Sequence, residues 1–168
     1  SFLINPTGFD RRRVELQDLV MIREGQREAG KLPSRAVRLH QAIFQQHPEV
    51  NCIISTQSPS VTAFCVANEQ MDTRTIPESY ILLEEIPLLP YGSQFDGGKR
   101  VAEALAKHTP ILLLKNDSVL VTGKSVLETF DRLEVAEFSA ASLIDAYALG
   151  GLVEMDDAAI DELKVAFL

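Results

Sequence analysis

The sequence predicts a single α/β domain in which a mixed, mostly antiparallel sheet is flanked by helices. Apolar runs of strand length alternate with segments of helical periodicity, which is typical of α/β proteins. Several neighbouring apolar runs are joined by only a few residues, whereas a parallel crossover needs about a dozen or more. The chain has 168 residues, of which 46% are hydrophobic, and this fits one domain with a sizeable core.

The first half of the chain is predicted to hold three strands and two helices. In order, these are a strand at 2–4, a strand at 18–22, a helix from Ser34 to His47, a strand at 51–56 and a helix from Ser58 to Val66. Ser34 is a good N-cap residue, and His47 precedes a proline that ends the helix. The run REGQREAGK between the second strand and this helix is predicted to be a polar loop.

The second half is predicted to alternate strands and helices more closely. The elements are strand candidates at 79–83 and 86–89, a helix from Gly98 to His108, two strands around the turn 116–118, a helix from Ser125 to Leu149 and a helix ending at Phe167. The candidates at 79–83 and 86–89 are rich in Ile and Leu, which favours strands. Asp156 or Asp157 is the expected N-cap of the last helix.

The charge balance argues against a nucleic-acid partner. The formal net charge is −8, whereas contact with a phosphate backbone requires clustered Lys and Arg. The one basic cluster, Arg11 to Arg13, is interpreted as a solvated loop. No window has the length and apolarity of a membrane span, and residues 1–10 lack the pattern of a signal peptide. A protein with neither nucleic-acid nor membrane partners is therefore expected. Cys52 and Cys65, interpreted as two buried free thiols, favour a cytoplasmic protein.

A series of five segments resembles the class II aldolase/adducin family, and most closely its fuculose-phosphate aldolase branch. The segments are INPTGFD, KLPSRAVRLHQAIFQQHPEV, NCIISTQSPSVTAF, IPLLPYGS and ILLLKNDSVLVTG. Each is weakly specific alone, but together they extend over nearly the whole chain. The resemblance implies a three-layer α/β/α domain over residues 1–168. Because the chain starts on SFLI without Met, we expect an N-terminal part of the family domain to be missing.

The resemblance also implies a chemistry. Family enzymes hold one divalent metal, usually zinc, with two histidines of a His-x-His and a third from an Asn-His-Gly turn. A glutamate in a Pro-Ser-Ser-Glu motif acts as acid and base, and the metal stabilises the enediolate of a ketose phosphate. Thr-Gly and Ser-Ser turns hold the phosphate. Family members commonly form fourfold tetramers, so the resemblance implies a homo-oligomer, with a tetramer as the expected form.

This chain departs from the family at the positions that carry the chemistry. The corresponding residues are Ser55 and Gln57 for the His-x-His, Asp117 for the turn histidine and Ala36 for the glutamate. Serine and glutamine are weak zinc ligands, and alanine moves no proton. Asp117 is interpreted first as a turn former, because Asn-Asp-Ser is a favourable turn sequence. No metal cofactor is expected, and the alternative is Mg²⁺ or Mn²⁺ on oxygen ligands from Ser55, Gln57 and Asp117.

The phosphate end matches the family better. Thr7-Gly8 corresponds to the Thr-Gly turn, and Ser34 to the first residue of the Ser-Ser turn. Arg35 adds a guanidinium suited to phosphate oxygens, although a pairing with Glu15 or Glu28 is an equal alternative. These residues are the predicted phosphate-binding set.

Four further residues have predicted roles. Tyr80 falls near the place of a tyrosine that donates a proton across a subunit boundary in the aldolases, so it is a candidate proton donor. His40 lies on the apolar face of its helix, where a hydrogen-bonded packing role is expected. His47 and His108 are expected to cap helix carbonyls.

These observations favour a family member that has lost catalysis and serves as a binding or assembly domain. The alternative is a metal-dependent sugar-phosphate aldolase or epimerase, a carbon–carbon lyase, with a remodelled site. A third hypothesis is a sensor that binds a sugar phosphate without turning it over. The expected partners are a sugar phosphate or another anion, and further copies of the chain.

Overall fold

The computed structural model describes residues 1–168 and contains seven strands and six α-helices. The strands are Phe2–Ile4 (β1), Val20–Arg23 (β2), Gln26–Arg27 (β3), Cys52–Thr56 (β4), Leu88–Leu89 (β5), Ile111–Leu114 (β6) and Ser118–Gly123 (β7). The helices are Val37–Gln46 (α1), Pro59–Ala67 (α2), Pro77–Leu83 (α3), Lys99–Ala104 (α4), Val126–Ala148 (α5) and Asp157–Phe167 (α6). None of these helices combines the length and apolarity that a membrane crossing needs.

The larger sheet is the middle layer of the domain. Its strand order is β4-β7-β6-β5, and every pair is antiparallel except β5–β6. Side chains of β6 alternate between its two faces: Ile111 and Leu113 join the apolar core under α2, α3 and α5. Leu112 and Leu114 join a second core with α1 and α4. The predicted fold class, a mixed sheet between helical layers, is therefore confirmed.

The smaller sheet positions the turn that follows β1. Its strands pair antiparallel in the order β1-β2-β3. Three buried apolar residues of β1 and β2 pack with Val37, the first residue of α1. An antiparallel bridge between Pro6 and Pro33 then brings the β1 turn beside the segment that leads into α1.

Several predicted elements need correction. Residues 79–83 belong to α3, because Ser79 and Leu83 are buried about one helical turn apart and Pro77 suits a first helical turn. The predicted polar loop after β2 contains β3, which pairs with β2. The helix predicted to reach His108 ends at Ala104, since the next residue has an extended backbone.

Candidate functional site

A cavity of about 720 Å³ lies where four segments meet: the turn after β1, the start of α1, the end of β4 and the turn between β6 and β7. Eight of the residues singled out in the sequence line it. They are Thr7, Gly8, Ser34, Arg35, Ala36, Ser55, Gln57 and Asp117. The structure thus gathers around one space, the central cavity, the predicted phosphate-binding set and the four residues predicted to replace the family's metal ligands and carboxylate.

One part of the cavity wall is built by backbone pairing between the β1 turn and the segment before α1. The N–H of Thr7 donates to the carbonyl of Leu32 at 3.0 Å, and the N–H of Ser34 donates to the carbonyl of Asn5 at 2.8 Å. Gly8 has φ of +75°, and a Cβ at this position would meet no atom within 4 Å. The turn therefore leaves open space beside Ser34, where a ligand can approach the backbone.

Ser34 does not occupy the N-cap position that the sequence predicted. Helix α1 begins at Val37, and the N-cap residue is Ala36. The hydroxyl of Ser34 accepts a hydrogen bond of 3.3 Å from the N–H of Ala36. The hydroxyl hydrogen remains available, so Ser34 can donate to a ligand in the cavity.

Arg35 adds positive charge to this part of the wall. Its side chain is exposed, and none of the ion pairs in the chain includes it. Neither pairing left open by the sequence occurs: Glu28 lies 3.4 Å from Lys31, and the carboxylate of Glu15 accepts from Gln17. The anion wall, as it is called below, consists of Thr7, Gly8, Ser34 and Arg35.

A second part of the wall joins the end of β4 to the β6–β7 turn. The hydroxyl of Ser118 donates to Oδ2 of Asp117 at 2.7 Å, and Nε2 of Gln57 donates to the carbonyl of Asp117 at 3.2 Å. The hydroxyls of Ser55 and Ser118 lie 3.5 Å apart. These contacts connect Ser55, Gln57 and Asp117 to one another, directly or through Ser118. The carboxylate wall, as it is called below, consists of Ser55, Gln57, Asp117 and Ser118.

The donors of the carboxylate wall do not fit zinc. Zinc sites use thiolate, imidazole and carboxylate ligands, most often in a tetrahedral arrangement. This wall supplies one carboxylate, and its other donors are neutral oxygens. Nowhere in the chain do three or more His, Cys, Asp or Glu side chains form a group that could hold a metal ion.

His40 is the one histidine that lines the central cavity. It follows Ala36 by one turn of α1, and its backbone N–H donates to the Ala36 carbonyl at 2.9 Å. Its Nε2 is buried and has no hydrogen-bond partner. The side chain is thus packed as expected, but this atom lacks the expected hydrogen bond. Burial lowers the pKa of His40 to about 4, which keeps the imidazole neutral at pH 7.

The other two histidines contact groups outside the central cavity. Nε2 of His47 lies 2.7 Å from the carbonyl of Ala102, so it meets the last turn of α4 rather than its own helix. Nδ1 of His108 lies 2.5 Å from a carboxylate oxygen of Glu84, and His108 is not in a helix. The predicted capping role thus applies to His47, at another helix, and was wrong for His108.

Tyr80 does not reach the central cavity within one chain. It lies on α3 and lines a separate, open cleft of about 1290 Å³ together with Glu84 and His108. The cleft also contains an ion pair of 2.7 Å between Arg74 and Asp157, at the start of α6. Tyr80 therefore belongs to another surface of the chain.

Sequence reasoning missed several residues of the central cavity. Asn5, Arg11 and Ser118 all line it. Arg11 was assigned to a solvated loop, and it is indeed exposed, but the β1 turn brings it to the cavity. Ser118 follows Asp117 directly, so its position at the start of β7 was the available signal.

Comparison with known proteins shows which family the chain resembles. The class II aldolase and adducin N-terminal domain family matches residues 1–144. An L-fuculose phosphate aldolase from Methanococcus vannielii is 26% identical over 135 residues, which is 80% of this chain and 73% of that protein. An L-fuculose phosphate aldolase from Escherichia coli K12 is 31% identical over 122 residues, which is 69% of this chain and 51% of that protein.

A solved structure extends the likeness to the fold. The L-fuculose 1-phosphate aldolase from Glaciozyma antarctica PI12 has a TM-score of 0.78 at 22% identity, covering 95% of this chain and 64% of that chain. At this identity the likeness concerns the fold. The chain spans about half the length of the Escherichia coli relative and under two thirds of the Glaciozyma protein.

Proposed function

The chain belongs to the class II aldolase and adducin N-terminal domain family, and from this premise we propose that it is a non-catalytic binding domain for a phosphate-bearing small molecule. The observation that carries the proposal is the contrast between the two walls of the central cavity. The anion wall keeps groups that bind phosphate, whereas the carboxylate wall lacks imidazole ligands.

The loss of catalysis is supported by three features of the cavity. Ala36, the residue predicted at the position of the family's acid/base carboxylate, lines the cavity, and a methyl group cannot transfer a proton. The nearest imidazole on the same helix face is His40, whose pKa of about 4 makes it a weak base at pH 7. Ser55, Gln57 and Asp117, the residues predicted at the three histidine positions, offer two neutral oxygen ligands and one carboxylate, which are poor replacements for three imidazoles.

Phosphate binding is supported by the donors that the anion wall gathers. Thr7 and Ser34 offer hydroxyls, Gly8 leaves its backbone open, and Arg35 offers a guanidinium without an ion-pair partner. A guanidinium binds phosphate oxygens in a planar, two-point geometry. The wall lies at the start of α1, where the helix dipole also favours an anion.

Two measurements on one preparation test the proposal. Inorganic phosphate should raise the melting temperature of the wild type, because a ligand that binds only the folded state stabilises it. Arg35→Ala should remove most of this rise. Arg38→Ala is the matched control: Arg38 is an exposed arginine in the first turn of α1, three residues after Arg35, and does not line the cavity. Aldol cleavage of fuculose 1-phosphate should stay at the level of a no-enzyme control, with or without added zinc.

Two results would overturn the proposal. One is cleavage above the control that a chelator abolishes. The other is a phosphate response that is absent in the wild type or equal in Arg35→Ala and Arg38→Ala.

A remodelled metal-dependent lyase is the second candidate, and the oxygen donors of the carboxylate wall favour it. One Asp117 oxygen, the Gln57 amide oxygen and the Ser55 hydroxyl lie on one wall, and Mg²⁺ and Mn²⁺ accept oxygen ligands. Elemental analysis of protein purified without chelator should then find about one ion per chain, lost in Asp117→Ala. Substoichiometric metal in intact protein would remove this candidate.

Assembly with further copies of the chain is part of the proposal. Helix α5 exposes six large hydrophobic side chains, among them those of Leu127, Phe130 and Phe138. Such side chains suit an interface between subunits. Light scattering on the purified protein should give a molar mass above that of one chain. The variant Phe138→Ser should have a lower molar mass than the wild type. A monomer at micromolar concentration would contradict this part.

A further inference from the structure

The two walls of the central cavity carry opposite charge. Arg35, with Arg11 beside the β1 turn, makes the anion wall positive. Asp117 gives the carboxylate wall a negative charge, and the chain as a whole is acidic. A negative charge is unfavourable in a cavity that is proposed to hold an anion. A ligand that is only an anion would satisfy one wall and be repelled by the other.

The carboxylate of Asp117 is not neutralised by the protein. No Lys, Arg or His lies within ion-pair distance of it. Its Oδ2 accepts from the Ser118 hydroxyl, and its other oxygen has no partner in the chain. His40, the one histidine of the cavity, is neutral at pH 7 and contributes no balancing charge.

The groups around Asp117 present acceptors as well. Gln57 uses its amide N–H on the Asp117 carbonyl, and this leaves its amide oxygen free. The Ser118 hydroxyl donates its hydrogen to Asp117, so its oxygen accepts from the Ser55 hydroxyl 3.5 Å away and keeps one further lone pair. The surroundings of Asp117 therefore offer three hydrogen-bond acceptors: a carboxylate oxygen, an amide oxygen and a hydroxyl oxygen. They suit an ammonium group, which carries three N–H donors and no acceptor.

We propose that the ligand of the central cavity is a phosphomonoester that also carries a primary amine, with the phosphate at the anion wall and the ammonium at Asp117. This inference rests on the proposed function, because it assigns the phosphate to the same anion wall. It goes further because it assigns a positive charge to the other end of the ligand, where a plain sugar phosphate carries uncharged hydroxyls. Amino sugar phosphates and amino alcohol phosphates share this chemistry.

A matched pair of ligands tests the inference. Glucosamine 6-phosphate and glucose 6-phosphate differ only in an amine or a hydroxyl on one carbon. In a buffer with EDTA, so that no metal ion can bridge to Asp117, calorimetric titration should give on the order of 10-fold tighter binding of the amine, as expected for a charge-assisted hydrogen bond. N-acetylglucosamine 6-phosphate, which lacks the charge, should bind no better than glucose 6-phosphate.

The variant Asp117→Asn keeps the size of the side chain and removes its charge. The ratio of the two affinities should fall to about 1 in this variant. Its response to inorganic phosphate and its melting temperature show whether it is folded, and the wild-type comparison of the two ligands stands without it. In Arg35→Ala both sugar phosphates should weaken together.

The outcomes separate this inference from the proposed function. Equal affinity for the amine and the hydroxyl, with an intact phosphate response, overturns the inference alone. An amine preference that persists in Asp117→Asn also overturns it, because the preference then comes from another group. Tight binding of glucose 6-phosphate only when Mg²⁺ is added overturns it in favour of a bound cation at Asp117. The absence of any phosphate response overturns the proposed function as well.

Discussion

The carboxylate of Glu137, in the middle of α5, accepts a hydrogen bond of 2.8 Å from the backbone N–H of Ser60 at the start of α2. Its other oxygen accepts from the N–H of Val61 at 3.1 Å. The first N–H groups of a helix have no partner within the helix, so a carboxylate from a different helix serves as the cap. Because α2 follows shortly after Gln57, α5 helps to fix the end of β4 that forms the carboxylate wall.

Glu137→Ala should lower the free energy of unfolding by about 1–2 kcal/mol, since two helix N–H groups lose their acceptor. Urea unfolding followed by circular dichroism measures this. Glu134→Ala is the matched control: Glu134 is exposed on the same helix and forms no ion pair. The control should change stability by less than about 0.5 kcal/mol. Equal losses in the two variants would show that Glu137 does not act as a cap.

The same contact makes stability depend on pH in the acid range. Burial raises the pKa of Glu137, but the hydrogen bonds from Ser60 and Val61 outweigh it, and the net pKa lies below the ordinary value of 4.5. A group with a lowered folded-state pKa stabilises the fold above its unfolded pKa, and this stability is lost as the pH falls through the folded value.

The gap in unfolding free energy between wild type and Glu137→Gln should therefore be largest at pH 7 and shrink below pH 4.5. Urea titrations at pH 7, 4 and 3 measure it. A gap that stays constant from pH 7 to pH 3 would contradict the role of the ionised carboxylate.

The contact between Glu137 and Ser60 illustrates what the sequence could not predict. The two residues are 77 positions apart, and a cap supplied by another helix has no local signal. The helix itself was predicted from Ser58 onward, because its proline and its apolar residues act locally. Local signals were thus sufficient for most elements, and tertiary contacts decided the rest.

Helix α3 shows the limit of composition as a guide. Its Ile and Leu residues favoured a strand at 79–83, whereas the structure forms a helix there. Ser79 and Leu83 are buried together, and Ser79 hydrogen-bonds Ser139 of α5, so packing against α5 selects the helix. Short apolar runs are ambiguous for this reason.

The sequence predicted many of the residues that line the central cavity, but it did not predict which of their charges lack an ion-pair partner. Residues from four segments of the chain meet in it because turns after strands and starts of helices share one edge of the domain. The lack of any ion-pair partner for Arg35 and Asp117 depends on side-chain positions, which no local pattern encodes.

Because of His40, the free energy of unfolding should decrease as the pH falls from 6.5 to 4. Burial lowers its folded-state pKa from 6.5 to about 4, so the unfolded state takes up a proton first and is favoured as the pH falls. At pH 5 the loss relative to pH 7 amounts to about 2 kcal/mol by this linkage.

The variant His40→Gln removes the titrating group and should remove most of that loss, as measured by urea unfolding at pH 7 and pH 5. His47→Gln is a suitable control, because it replaces a histidine outside the central cavity, and this variant should retain the wild-type loss of stability between pH 7 and pH 5. Identical pH dependence in wild type and His40→Gln would show that the imidazole is not desolvated.

The packing of α1 on α4 leaves no room for a side chain at Gly98. Its φ is +88°, and a Cβ there would lie 2.6 Å from the Cα of Leu39 on α1, a backbone atom that cannot move alone. Gly97 has a similar φ of +82°, but a Cβ on it would meet nothing within 4 Å.

Gly97→Ala should cost about 1 kcal/mol of folding stability from backbone strain alone, whereas Gly98→Ala should cost about 3 kcal/mol because α1 must also shift. Since α1 carries Ala36 and His40, Gly98→Ala should weaken the phosphate response of the folded protein as well, and Gly97→Ala should leave it intact. Urea unfolding and phosphate-induced melting shifts of both variants measure this, and equal behaviour of the two would mean that α1 and α4 are not in close contact.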